Sequence, residues 1–167
     1  MTTPSQAPLS APDRERAIHA LERAVACAER GVADRPVVLI ESVDMSGLSP
    51  VDVRALLDRV MLGEYADEGL DSLLATGVLD ALLPEIKALV GFGDGEWRHK
   101  DVWKHTKQVV TQSVPRVEVR YGALFHDIGK VKTRSIDPNG KVHFLGHAEV
   151  GTRMFDKLER RLGMFSP

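Results

Sequence analysis

Cross-links are the first thing this chain lacks. Cys27 is its one cysteine in 167 residues, so no internal disulfide can form, and that usage points to a reducing, cytoplasmic compartment. Long apolar runs are missing as well. "PVVLI" at 36–40 is the longest conspicuous one, far short of the roughly 20 residues a membrane-spanning helix needs. The opening "MTTPSQAPLSAPD" has no basic start leading into an apolar stretch, so no signal peptide is expected, and residues 1–11 read as a disordered lead. Nor does either sign of charge prevail. With 22 Lys and Arg against 24 Asp and Glu, the formal net charge is -2 and the pI near 6.3. Nothing global therefore points to nucleic acid or an anionic membrane, although a local basic patch remains possible. What is present is ordinary for a globular protein: 43% apolar and 28% charged residues, enough chain for one compact domain with a sizeable core.

Helical patterns dominate. Residues 12–30 place Ile18, Leu21, Val25 and Ala28 on one face, with Pro12 and Asp13 suited to a first turn and Gly31 to the stop. "RPVVLIESVDMSG" reads equally as a short strand or a buried helix start. Ser49 and Pro50 open a helix carrying Val53, Leu56, Leu57 and Val60. Two leucine-rich turns follow, separated at Gly77, and Pro84 divides the second. The glycines of "GFGDGEWR" at 91–98 invite a phosphate-loop reading, but no strand precedes them and no Gly-Lys-Ser/Thr follows, so they read as a linker. No internal repeat is visible.

The last seventy or so residues hold the titratable groups. In "HKDVWKHTKQVVTQS" (99–113) the stripe Val102, His105, Val109, Gln112 is expected to face inward, with Asp101 one turn before His105. In "RVEVRYGALFHDIGK" (116–130) the expected inward face is Val119, Gly122, Ala123 and His126, which delivers His126 and Asp127 at the C-terminal end. Asn139-Gly140 between "TRSID" and "KVHF" predicts a hairpin near 133–144. The next helix has His147 in its first turn and Val150, Met154, Leu158 and Leu162 buried. His105, His126 and His147 thus recur at intervals of 21 residues near the ends of consecutive helices. Imidazole nitrogen and carboxylate oxygen together are a ligand set that first-row divalent metals favour. A cation would also supply the counter-charge that makes a buried His–Asp pair tolerable.

The pattern "H…HDIGK…GH" resembles the HD superfamily of metal-dependent phosphohydrolases, with His105 as first ligand and His126-Asp127 as the name-giving doublet. The stretch from "GLDSLLATGVLDALLPEIKALVG" through "RHKDVWKHTKQVV" and "ALFHDIGK" to "GKVHFLGHAEVGTRM" is similar to the C-terminal half of bacterial tRNA nucleotidyltransferases that carry an HD domain. The resemblance covers roughly Ser49 to Phe165. It implies an all-α HD-type bundle with one small hairpin. It divides the chain into an N-terminal helical segment (12–48), a segment like the one preceding the HD domain (49–91) and the HD domain itself (98–167).

Function follows from the same resemblance. It implies hydrolysis of a phosphomonoester or phosphodiester of a nucleotide or RNA end, with a metal-activated water as nucleophile. His105, His126, Asp127 and His147 would hold a divalent metal ion (Mn, Ni, Co, Fe, Zn or Mg). Asp127 and Lys130 would serve catalysis, and His99, Lys100 and Lys130 would contact the substrate. The sequence departs from the family in two ways. It lacks the Gly-Ser turn and Asp-x-Asp pair of the nucleotidyltransferase domain, so nucleotide addition is not expected. The family's last aspartate ligand lies on a later helix, and Asp156 sits too close to His147 to replace it, so a chain cut short is expected. The alternative is a non-catalytic HD-type module that binds RNA, a nucleotide or a partner, or an inactive fragment. Neither membrane association nor a particular oligomeric state is implied. Blander readings cover the rest: His19 as solvated, His143 and Arg134 as solvent-facing strand residues, and Trp97 and Trp103 as packing residues at a helix start.

Overall fold

The computed structural model describes residues 11–31, 43–93 and 101–165. The disordered lead, most of the ambiguous "RPVVLIESVDMSG" stretch, Trp97, His99 and Lys100 lie outside the described residues.

The first helix, α1 (Ala11–Arg30), buries Leu21, Val25 and Ala28 and leaves His19 exposed. Helix α2 (Pro50–Leu62) starts where Ser49 and Pro50 predict. Ser49 is extended at φ -63° and ψ 130°, but its hydroxyl makes no capping bond. Gly77 adopts φ +83° between α3 (Ala66–Ala75) and α4 (Val78–Leu82), and Pro84 begins the short α5 (Pro84–Lys87). Helices α2 and α3 pack on α1. Helix α6 (Val102–Gln112) packs on α3 and α7 (Val117–Phe125), and α7 on α2. One core cluster runs from Ala17 in α1 to Met164 beyond the last helix, so the three segments distinguished in the sequence share a single interior.

Two helix faces differ from expectation. In α6 the buried positions are Val102, Trp103, Thr106 and Val110, while His105 and Gln112 are exposed. In α7 the buried positions are Arg120, Tyr121, Leu124 and Phe125, and Val119, Gly122 and His126 face outward. The reason is Arg120. Its guanidinium reaches into the interior and donates to the carbonyls of Met61 at 2.9 Å and Gly63 at 2.8 Å, and to those of Ser113 at 3.1 Å and Thr111 at 3.3 Å. Carbonyls at helix ends lack intrahelical partners, and one buried cation serves the ends of both α2 and α6. Sequence reasoning did not single out Arg120, since arginine is rarely buried unless paired.

After α7 the chain makes a tight turn through 126–129 into the short α8 (Lys130–Thr133) and the hairpin of β1 (Arg134–Ile136) and β2 (Val142–Phe144). Arg134 pairs with Phe144, Ser135 with His143 and Ile136 with Val142. Gly140 takes φ +80°, its N–H donating to Asp137 O at 2.9 Å, and among the described residues no non-glycine residue has positive φ. Pro138 and Asn139 therefore form the corner and Gly140 the left-handed position that only glycine adopts without strain. His143 is not simply solvent-facing: it is half-buried, with Nε2 2.9 Å from Asp137 Oδ2. The last helix, α9 (His147–Leu162), buries Met154 and Leu158 and packs on α8. No helix among the described residues is long and apolar enough to cross a membrane.

Candidate metal centre

His105 lies one turn into α6. Asp101 caps that helix, its carboxylate accepting the Lys104 N–H at 3.2 Å, so the acid expected beside His105 is committed to the helix end. His126 and Asp127 sit in the turn after α7. One potential ligand atom from each of His105, His126 and Asp127 lies within 4.8 Å of the others, and the two imidazole centroids are 6.0 Å apart. The doublet is not buried as a unit. The Asp127 side chain is 5% exposed and that of His126 36%, so the carboxylate forms the floor and the rings form the rim.

The hydrogen bonds fix which nitrogen faces the carboxylate. Nδ1 of His126 contacts the Ala123 carbonyl. A carbonyl only accepts, so this nitrogen carries the hydrogen. Its Nε2 then points at Asp127 Oδ2, 2.9 Å away. A neutral ring in that tautomer would set a lone pair against a carboxylate, which is repulsive unless a proton or a cation intervenes. A proton there is favoured, since the Asp127 hydrogen bond raises the His126 pKa against the opposing effect of burial. Burial pushes the Asp127 carboxyl up, but His126 and Lys130 outweigh it and hold the group below the usual carboxylate range. His147 repeats the arrangement. Its Nδ1 donates to Phe144 O at 3.1 Å, and Nε2 stands 4.0 Å from Asp127 Oδ1. Both rings turn Nε2 inward by fastening Nδ1 to a carbonyl three residues back, the outer support that metal-binding histidines ordinarily have. Two imidazole nitrogens and a carboxylate oxygen, with a third imidazole beyond them, fit a divalent cation by donor type.

Lys130, on the first turn of α8, has Nζ 3.5 Å from Asp127 Oδ1 and 5.2 Å from the Phe144 ring centroid. Asp156 is exposed midway along α9 and joins no such group among the described residues. Sequence reasoning did not single out Gly129. A Cβ there would sit 2.0 Å from His147 O and 2.7 Å from the Gly151 N. The absent side chain thus lets the first turn of α9 close against the 126–129 turn and bring His147 to Asp127. The Ala123 and Phe144 carbonyls were missed too; their signal is that each precedes its histidine by three residues.

Comparison with known proteins gives a consistent result. Residues 100–164 match the model of the HD domain. Over 108 residues, 61% of this chain and 25% of the relative, the sequence is 41% identical to the CC-adding tRNA nucleotidyltransferase of Thermus thermophilus. Over 116 residues, 66% of this chain and 27% of the relative, it is 33% identical to the A-adding tRNA nucleotidyltransferase of Deinococcus radiodurans. The chain spans about a quarter of the length of these curated relatives, and the likeness runs over the HD-containing region. No solved structure matches.

Proposed function

We propose that this chain is a metal-dependent phosphohydrolase of HD type, cleaving a phosphomonoester or phosphodiester of a nucleotide or RNA end. The supporting observation is the convergence of His105, His126 and Asp127 within 4.8 Å, inside the region that matches the HD domain. In this reading those three residues hold a divalent cation (Mn, Ni, Co, Fe, Zn or Mg), and His147 extends the set. When bound, such an ion supplies Lewis acidity that polarises a phosphoryl oxygen and acidifies water. Asp127 orients the attacking water. Lys130 brings its ammonium to the phosphoryl oxygens as charge accumulates on them. His99 and Lys100 contact the substrate in this reading. Residues 98–167 are the HD domain, 49–91 the segment before it and 12–48 an N-terminal helical segment. The buried, free Cys27 accords with a cytoplasmic setting. The relatives' names concern tRNA, which favours an RNA end as substrate; nucleotide addition itself is not carried over.

A second reading, a non-catalytic HD-type module that binds RNA, a nucleotide or a partner, is favoured by the three-membered ligand group among the described residues. Metal analysis of the purified chain separates the two, followed by assays of bis-p-nitrophenyl phosphate and 2′,3′-cyclic AMP with Mn²⁺, Ni²⁺ or Co²⁺. Metal-dependent turnover lost in Asp127→Ala supports the hydrolase. Stoichiometric metal with no turnover of either compound supports the binding module.

A further inference from the structure

The hairpin beside the site carries charge that hydrolysis of a single phosphate leaves unused. Lys130, Lys132, Arg134 and Lys141 lie on or next to it against one acid, Asp137, and that acid is already engaged by His143 at 2.9 Å. With a net charge of -2 over the chain, this positive charge is local. Arg134 and Phe144 are direct cross-strand partners, so both side chains rise from the same face of the hairpin. The Phe144 and Phe92 rings are 6.4 Å apart and tilted by 60°. The Lys130 ammonium lies 5.2 Å from the Phe144 centroid, and the Arg134 guanidinium carbon 5.9 Å from that of Phe92. Two adjacent rings are therefore flanked by a cation at either end, in the order Lys130, Phe144, Phe92, Arg134, and the Lys130 end lies 3.5 Å from Asp127.

Cations set beside rings hold single-stranded nucleic acid, because the cations meet phosphates and the planar groups stack on bases. Arg134 is exposed while Phe92 beneath it is half-buried. A guanidinium supported on a ring offers its outer face to a base and its N–H edge to a phosphate. Lys130 suffices for one phosphate at the metal centre, whereas Arg134 stands two rings further along. We infer that Arg134, supported by Phe92, forms a subsite for the nucleotide adjoining the reacting one, so that the preferred substrate is a phosphodiester-linked strand and not a mononucleotide. The identity of the reacting group rests on the phosphohydrolase reading; the binding preference is measured apart from it.

The test uses the full chain in metal-free buffer with EDTA, so that no turnover interferes. Fluorescence anisotropy follows a labelled tetrauridylate ending in a 3′-phosphate and its deoxy counterpart, with uridine 3′-monophosphate as competitor. Wild type is expected to prefer the ribo or the deoxy strand over the monophosphate by about tenfold or more, the low range for one stacking contact. Arg134→Met, which keeps the stem and removes the charge, is expected to collapse that ratio. It should also flatten the dependence of log affinity on log salt by about 0.7. Equal wild-type affinity for strand and monophosphate overturns the proposal, and so does an unchanged ratio in Arg134→Met. Mn²⁺-dependent turnover and this ratio fail independently. A missing turnover with the Arg134 effect intact refutes the hydrolase and leaves the subsite, whereas turnover with a ratio of one refutes the subsite alone.

Discussion

At the scale of single residues, the site depends on one side chain that is absent. Gly129 has φ -69° and ψ -16°, a helical conformation open to any residue, so its requirement is for space and not for backbone freedom. The 2.0 Å approach of an added Cβ to His147 O means that Gly129→Ala must push α9 away from the 126–129 turn. Overpacking of this kind is expected to destabilise the fold by about 1–3 kcal/mol in urea unfolding; wild-type stability in that variant would contradict the packing described. A second residue-scale expectation concerns pH. The His143 hydrogen bond and the backbone N–H groups of Lys141 and Asn139 hold the Asp137 carboxyl below its ordinary range. A carboxyl lowered on folding contributes stability above its unfolded pKa, about 3.9, and loses it as pH falls through the folded value. The stability gap between wild type and Asp137→Asn is therefore expected to shrink as pH falls below about 4. A gap that persists at lower pH would assign the effect to turn geometry instead.

Among the helices, Arg120 decides how α7 is rotated, and with it where His126 points. Since Arg120, Tyr121 and Leu124 are buried, the opposite side of α7, with Ala123 and His126, faces the groove shared with His105. The carbonyls at the ends of α2 and α6 depend on its guanidinium. Arg120→Met would leave several of them buried and unpaired, at an expected loss of about 3 kcal/mol or more. Arg120→Lys restores the charge without the planar fork and is expected to recover part of it in the same unfolding experiment. The comparison carries its own check: equal losses in both variants would show that packing volume, and not the donor fork, matters here. In α6 the same logic applies. Trp103, Thr106 and Val110 take the core side, which leaves His105 outside the core but inside the groove.

For the molecule as a whole, the site joins parts far apart in sequence. His105 comes from α6, the doublet from the turn after α7 and His147 from α9. A cation bound to all of them binds the folded chain in preference to the unfolded one. At roughly a hundred times its dissociation constant, Mn²⁺ is expected to add about 2.7 kcal/mol, a rise of roughly 5–10 °C in melting temperature. The rise should be lost in Asp127→Asn. Scanning fluorimetry checks it; an unchanged wild-type transition at saturating metal removes the case for a cation.

The sequence by itself determined the helical class, the hairpin at Asn139-Gly140, the breaks at Gly77 and Pro84, and His105, His126 and Asp127 as the residues to watch. Those are local properties: turn chemistry, helix stops and motif spacing are written in neighbouring residues. Only the tertiary structure decided which faces of α6 and α7 turn inward, because periodicity defines a stripe but not the partner it meets. It also decided that Asp127 alone of the doublet is buried, that Gly129 lets α9 close on the site, and that Arg134 lines up with Phe92 and Phe144. Each of these depends on atoms brought together from distant parts of the chain, where burial of a charge is settled by the carbonyls and rings that surround it.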